Sequence, residues 1–381
     1  MLNRLFYLDN SATTKPCEEA VNAALNAMEN DFGNPSSLYQ IGLNAENIIT
    51  ASRETVANAL HCREDEVYFT SGGSESNNTA IFGAVQRLCR RGRHIVSTAV
   101  EHPSVIKPLE KLESMGYEVT YVKPNKDGNI SEADFENAIR SDTIMVSCMY
   151  VNNETGAIFP VDKIKDIIKA KQSPAALHID CVQAFGKIDV NAPALQADLI
   201  SVSSHKIHGI KGAGALFVKK GFFLPAYILG GGQESGLRSG TEAVPAIAAF
   251  GAAVKALNSF KTLNDCFLKL NSYAKKKLSE FENIIVNSPD NAVPYILNFS
   301  FTGYRSETIL HLLESHNVFV SSGSACSKGH GSYVLKEMGL SRKNIDSAIR
   351  ISFSAFNDIC DIDALCEALK AASALRKSAV K

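Results

Sequence analysis

The stretch Ala197-Asp198-Leu199-Ile200-Ser201-Val202-Ser203-Ser204-His205-Lys206-Ile207-His208-Gly209 decides how the chain is read. Leu199 to Val202 is a short apolar run of the kind that makes a buried strand. It breaks into Ser-Ser-His-Lys and then into Gly209, Gly212 and Gly214. A lysine at a strand end can face a cleft instead of water. Partly desolvated, its amine gives up a proton more readily and becomes a nucleophile that forms Schiff bases. Ser203 and His205 beside it offer a hydroxyl and an imidazole to a phosphate. For Lys206 taken alone, a solvated loop lysine is the competing reading.

Upstream, Asp180 closes a second apolar run, Ala176-Leu177-His178-Ile179-Asp180. A carboxylate at one strand end and a lysine at the end of a later one is what pyridoxal phosphate chemistry requires. The lysine holds the aldehyde, and the carboxylate keeps the pyridine nitrogen protonated so that the ring can accept electrons. Spacing alone makes this suggestive, and the rest of the chain carries the argument further.

Outward from these two runs the rhythm is strand then helix. Glu66–Thr70, His94–Ala99, Tyr117–Val122, Thr143–Tyr150, Ala176–Asp180, Leu199–Val202 and Gly214–Val218 read as strands, with helical periodicity between most of them. Alternating β and α units predict an α/β fold with a mostly parallel seven-stranded sheet covered by helices on both faces, and ligands at the carboxyl ends of its strands. Before the sheet, Pro16 opens a helix in which Val21, Ala24, Leu25 and Met28 recur at helical spacing, and a second helix runs from Asn44 to Leu60. After Thr241 the pattern changes to long helices, a strand at Tyr295–Phe301, a helix at Glu307–Glu314 and a last strand at Ala348–Phe353. The expected organisation is a large domain over residues 15–258 and a smaller α+β domain built from residues 1–14 and 259–381.

With 381 residues and a net charge of −1, the chain has a large core and no electrostatic case for nucleic acid or membrane. It contains no apolar run long enough to span a bilayer and no signal-peptide h-region, so a cytoplasmic location is the expectation. The nine cysteines are scattered, odd in number and free of C-x-x-C pairs, which argues for reduced thiols and against a disulfide framework or a metal site.

Several further stretches carry chemistry. Ser71-Gly72-Gly73-Ser74 follows a strand and opens a helix, which suits a phosphate; an ordinary glycine turn with a serine cap has the same composition. Glu101-His102-Pro103 puts an imidazole at a strand end, where it can stack on a cofactor ring and move protons, or sit on the surface before the next helix. Asn153 lies in the polar run Val151–Gly156, and Gln183 follows Asp180 closely. The segment Ser321–Gly331 is small, polar and glycine-rich, which predicts a mobile loop. It presents Cys326 with Lys328 and His330 nearby to favour the thiolate. The other eight cysteines sit in or beside apolar segments and read as structural.

Taken in order, Tyr7–Thr14, Gly33–Ser37, Phe69–Asn78, Glu101–Pro103, Val151–Gly156, His178–Gln183, Ser203–Lys206, Gly230–Thr241, Gly323–Cys326 and Arg350–Ser352 resemble the cysteine desulfurases of the NifS/IscS type, class V members of the fold-type I pyridoxal phosphate enzymes. The resemblance spans nearly the whole chain. It implies that Lys206 carries the cofactor aldehyde, Asp180 pairs the ring nitrogen, His102 stacks on the ring, and Gln183 contacts the phenolic oxygen. It places Gly73, Ser74, Ser203 and His205 at the phosphate, and Thr241 at the phosphate of a neighbouring subunit, hence a homodimer. Asn153, beside the cofactor, and Arg350 would hold the substrate carboxylate, and Cys326 would accept the sulfur of L-cysteine as a persulfide. The partner so implied is a sulfur-acceptor protein, such as an iron–sulfur scaffold or a tRNA-thiolation enzyme. The chain departs from the pattern at Ser74 (usually Thr), Cys181 (usually Ala), Ile210 (commonly Pro) and in a short stretch from Cys326 to Ser332. The alternatives are another class V enzyme, a selenocysteine lyase or aminotransferase, that does not depend on Cys326, and a non-catalytic sulfur carrier.

Overall fold

The apolar runs of the middle of the chain build one sheet. Its strands are β2 (Val67–Thr70), β3 (His94–Thr98), β4 (Glu118–Val122), β5 (Thr143–Met149), β6 (Ala176–Asp180), β7 (Leu199–Ser203) and β8 (Gly214–Val218), following a short N-terminal β1 (Phe6–Tyr7). In the computed structural model, which describes residues 4–322 and 331–379, the order across the sheet is β2-β8-β7-β6-β5-β3-β4. Only β8 runs against its neighbours, β2 and β7; the other pairs are parallel. The predicted mostly parallel seven-stranded sheet is therefore present.

Every residue of β3, β5, β6, β7 and β8 is buried, because helices cover both faces. Ile95, Met145, Ala176, Leu199 and Leu216 point to one face, among the apolar side chains of α3 (Gly73–Leu88) and α4 (Pro103–Ser114). Their neighbours Val96, Val146, Leu177, Ile200 and Phe217 join the core on the other face, with α6 (Val161–Ala170), while α5 (Glu132–Ala138) closes the edge by β4. The alternation of side chains along a strand thus feeds two cores at once, which is why these runs are apolar throughout and not every second residue.

Two helices precede the sheet, α1 (Glu18–Glu29) and α2 (Gln40–Ala59), and α7 (Val244–Lys255) packs on both. Here the structure differs from the expected packing face. Of the stripe Val21, Ala24, Leu25 and Met28, only Ala24 is buried; the others stay 47%, 45% and 56% exposed, and α1 buries Ala20 and Ala27 beside Ala24. Ala20 and Ala24 meet Ala249 and Ala253 of α7, and small side chains there let the two helices approach closely.

The rest of the chain forms α8 (Phe260–Leu278), an antiparallel sheet of β9 (Ile284–Val286), β10 (Ile296–Phe301) and β12 (Ala348–Ser352), and α9 (Ser306–Ser315). The short α10 (Tyr333–Glu337) and α11 (Arg342–Asp346) precede β12, and α12 (Ile359–Ala379) ends the described chain. β1 pairs with β11 (Val318–Phe319). From β1 the chain crosses to the large sheet: Ser352 N–H donates to Leu8 O, and Thr14 N–H donates to His205 O beside Lys206. Among the described cysteines, Cys17, Cys148, Cys181 and Cys366 are buried as expected, whereas Cys89 and Cys360 are exposed. No helix among the described residues is long and apolar enough to cross a membrane.

Candidate active site

Because β8 reverses twice, β2 runs in the same sense as β3, β5, β6 and β7, and the carboxyl ends of all five open on one edge. Onto that edge they deliver Ser71–Ser74, His102, Asn153, Asp180 and Ser203 in turn. These residues line one cleft of about 590 Å³ together with Ser11, Gln183, His205, Lys206 and Arg350, a volume typical of small-molecule sites. A larger cavity of about 720 Å³ shares Lys206 but is lined by none of Asp180, His102, Ser203 or Arg350, so the smaller cleft is where the chemistry converges.

Lys206 ends a single helical turn, Ser204–Lys206, that follows β7 directly. Its Nζ donates to the carbonyls of Ser11 and, at 2.7 Å, Ala12. Asp180 is buried at the end of β6. Its Oδ1 accepts from Val182 N–H at 2.9 Å and its Oδ2 from Asn77 Nδ2 at 2.7 Å. The same Asn77 nitrogen donates to Ser104 Oγ at 2.8 Å, and Ser104 Oγ stands 2.7 Å from His102 Nδ1. Ser104 N–H also donates to Nδ1, so the neutral imidazole carries its proton on Nε2. Burial pushes the His102 pKa down; Asp180 pulls it up and Lys206 pushes it further down. The ring is thus kept available as a neutral base, with its orientation set by Ser104.

His205, also on this edge, is pushed down to about 3, chiefly by burial and then by Lys206, Lys211 and Lys187. Its Nδ1 lies 3.2 Å from Thr13 Oγ1. Glu101, next to His102, is fully buried and pushed up to about 8 by that burial, against the opposing hydrogen bonds from Thr98 and Met149 N–H. At neutral pH it is chiefly protonated.

Arg350 lies on β12 and is buried. Its Nη2 donates to Asp9 Oδ1 at 2.6 Å and its Nη1 to Asn153 O at 2.9 Å, while its Nε has no partner among the described residues. Gln183 donates from Nε2 to Ser11 O at 2.9 Å. Of the residues expected in the site, Thr241 is exposed and does not line this cleft, and Ser74 is exposed at its rim. Cys326 lies outside the described residues. On either side of its segment, Ser321 pairs with Arg350 and Ser332 donates to Glu154 Oε2.

Residues 6–365 match the family model for aminotransferase class-V. The chain is 38% identical over 369 residues to the cysteine desulfurase IscS of Methanosarcina thermophila, covering 96% of this chain and 91% of that protein. It is 40% identical over 365 residues to a NifS/IcsS protein homolog of Lactobacillus delbrueckii subsp. bulgaricus, with 94% of each covered. Among solved structures, a NifS-like protein superposes with a TM-score of 0.92 at 31% identity, over 98% of this chain and 100% of that one. SspA in complex with cysteine superposes at 0.82 and 31%, over 92% and 99%. The chain belongs to the class-V aminotransferase family, among its NifS/IscS-type cysteine desulfurases.

The cofactor of this desulfurase family is pyridoxal 5′-phosphate, and the cleft fits it. Ser203 Oγ is buried and has no partner among the described residues. Gly72 opens α3 at φ +146°, a conformation that suits glycine, and a Cβ there would meet only Ser203 Oγ, at 3.9 Å. A turn so open, at the positive end of a 16-residue helix with a spare hydroxyl opposite, is built for a phosphate. Asp180, hydrogen-bonded by Asn77, would supply the carboxylate that a protonated ring nitrogen requires.

Two residues that hydrogen-bond to the expected site residues, Asn77 to Asp180 and Asp9 to Arg350, had no assigned role in the sequence. Asn77 shares its helix face with the buried Ala80, Ile81 and Ala84, and a polar residue on an apolar face was the available signal. Asp9 had none: it meets Arg350 only through the fold.

Proposed function

We propose that this chain takes the sulfur of L-cysteine as a persulfide on Cys326 and releases L-alanine, using the cleft at the carboxyl ends of β2, β3, β5, β6 and β7. The observation that carries this reading is the placement of the Lys206 amine and the Asp180 carboxylate in one cleft, beneath the Gly72 turn and the unpartnered Ser203 hydroxyl.

Lys206, Asp180, Gln183 and His102 are the residues assigned to hold the cofactor's aldehyde, ring nitrogen, ring oxygen and ring face. Gly73, Ser74, Ser203 and His205 are assigned to its phosphate. When bound, pyridoxal phosphate supplies an electron sink conjugated with the substrate's amino group. Arg350 and Asn153 orient the substrate by its carboxylate; Asp9 on Arg350 is already a carboxylate held there by a charge-assisted hydrogen bond. Lys206 and the neutral His102 take and return the proton at the substrate's α-carbon. The Cys326 thiolate attacks the substrate's sulfur: the S–S bond forms, the Cβ–S bond breaks, and the carbon takes up a proton to become the methyl group of alanine. The terminal sulfur of the persulfide then passes to a protein acceptor of the kind that an iron–sulfur scaffold or a tRNA-thiolation enzyme represents.

The reading includes a homodimer. Supporting it, Leu38, Tyr39 and Leu43 near the start of α2 and Phe223 and Leu229 before the Gly230–Thr241 segment are exposed, with Leu38 fully so, and apolar exposure on this scale marks an interaction surface. Thr241, exposed and outside this chain's own cleft, is available to a second copy. It also includes a division into residues 15–258 around the large sheet and a smaller unit of residues 1–14 and 259–381.

The test is the production of alanine and sulfide from L-cysteine by parent and Cys326→Ser at equal cofactor loading. The variant is expected to bind the substrate and release no alanine. Alanine release at the parent's rate would replace this reading with a lyase that acts without a protein thiol.

A further inference from the structure

Lys187 is a buried amine that the reaction as described leaves unused. It is 8% exposed. Its Nζ donates to Gln183 Oε1 at 3.3 Å and lies over the Tyr295 ring, 5.0 Å from its centre. Tyr295 in turn donates its hydroxyl to Gln183 O at 2.9 Å. Among the described residues no carboxylate pairs with Lys187. Burial pushes its amine down to about 7, and Lys206 and Arg350, both cations, push the same way; His205 and His208, themselves held low, also face it. Glu18 and Glu19 line the same 720 Å³ cavity as Lys187 without forming an ion pair with it. A buried lysine held beside two other cations opposes stability, so its geometry needs a reason.

The reason lies in the two ends of the Gln183 amide. Oε1 accepts from Lys187, and Nε2 donates to Ser11 O, the same oxygen that accepts from Lys206 Nζ. Turned over, the amide would set its oxygen against the Ser11 carbonyl, losing that bond outright, and its NH2 against Lys187 Nζ, losing the second bond while Lys187 is protonated. An amide nitrogen carries two hydrogens, and Gln183 lines the cleft, so one N–H remains for a ligand.

We propose that Lys187 is a positioning residue that fixes the Gln183 amide with its donor end toward the cleft, so that the cofactor's ring oxygen meets an N–H and not a carbonyl oxygen. This rests on the assignment of Lys206 and Gln183 to the cofactor made above. A donor on the ring oxygen disfavours an extra proton on the nitrogen that joins lysine and cofactor, as does the charge of Lys187 while it is protonated, so losing Lys187 shifts that protonation equilibrium upward in pH.

The experiment is a pH titration of the visible cofactor band of the purified holoenzyme. Lys187→Met is expected to raise the midpoint by about one unit, and Lys187→Gln, too short to reach Oε1, to raise it as well. Lys187→Arg, whose larger head has the adjoining cavity to enter, is expected to return the midpoint to within about 0.3 unit of the parent. In a Gln183→Ala background, Lys187→Met is expected to add less than half of its shift. An unchanged midpoint in both Lys187→Met and Lys187→Gln, or an undiminished shift in the Gln183→Ala background, overturns the proposal. A parent protein with no visible band would instead overturn the cofactor assignment beneath it.

Discussion

Asp9→Asn separates the structural and the functional sides of Arg350. The pair closes at 2.6 Å with side chains 2% and 18% exposed, and the other partner of the guanidinium among the described residues is a neutral carbonyl, Asn153 O. Removing one member of a buried pair costs about 3–5 kcal/mol, because the other charge stays behind in the interior. Asp9 retains some contact with water, so the lower end applies: about 3 kcal/mol, or more than a hundredfold in the unfolding equilibrium constant. Urea denaturation followed by circular dichroism reads this loss directly. The functional half follows from the same contact. L-Alanine carries the carboxylate of substrate and product, and in the parent it meets an arginine already occupied by Asp9. In the variant it meets an arginine whose competitor is a neutral amide oxygen, a weaker partner than a carboxylate. At about 100 times its Kd, a ligand stabilises by about 2.7 kcal/mol, so at one fixed concentration L-alanine should restore more stability to Asp9→Asn than it adds to the parent. A variant that unfolds at the parent's urea midpoint refutes the energetic argument. Equal stabilisation of both proteins by L-alanine refutes the role of Arg350 as the carboxylate site.

Three further outcomes are expected. Borohydride reduction of the holoenzyme should fix the cofactor to the peptide containing Lys206, and Lys206→Ala should lose that label; labelling of another lysine in the parent would move the assignment. Glu101 titrates at about 8 in the fold against an ordinary 4.5, so the folded state binds the extra proton and its contribution is complete below about pH 4.5 and lost as pH rises through about 8; Glu101→Gln should therefore lose less stability than the parent between pH 5 and about 9 in parallel urea titrations, and matching pH profiles would contradict this. Leu38→Asp places a charge just before α2 and should convert the proposed dimer to a monomer in sedimentation velocity, whereas an unchanged dimer would move the interface elsewhere and a monomeric parent would refute the dimer.

Much of the site was legible because strand-end chemistry is local. Asp180 and Lys206 each terminate an unbroken apolar run, and Gly72 sits where a strand turns into a helix, so residue type and position together stated what each could do. Shorter elements without a repeating apolar pattern, β9, β11, α10 and α11, were not read, and neither was α12, whose alanine-rich sequence suits any face. The spacing of Val21, Ala24, Leu25 and Met28 gave the helix α1 but not its buried face: of the four only Ala24 is buried, because the neighbour is α7, whose Ala249 and Ala253 accept small partners. A helix's own periodicity does not say which surface it will meet.

The sequence by itself determined that strands and helices alternate, that the carboxyl ends of the strands carry polar and charged residues, and, through its resemblance, the family to which the chain belongs. Only the tertiary structure decided that β8 inserts between β2 and β7, that Asp9 reaches Arg350 far along the chain, that Asn77 joins Asp180 to Ser104 and His102, and that Lys187 stands behind Gln183. The difference is physical. Strand alternation, helix starts and turns follow from short-range sterics and hydrogen bonding, which a few consecutive residues contain. Pairings between distant residues follow from how the sheet closes and which faces its helices bury, and those are settled by the packing of the whole chain.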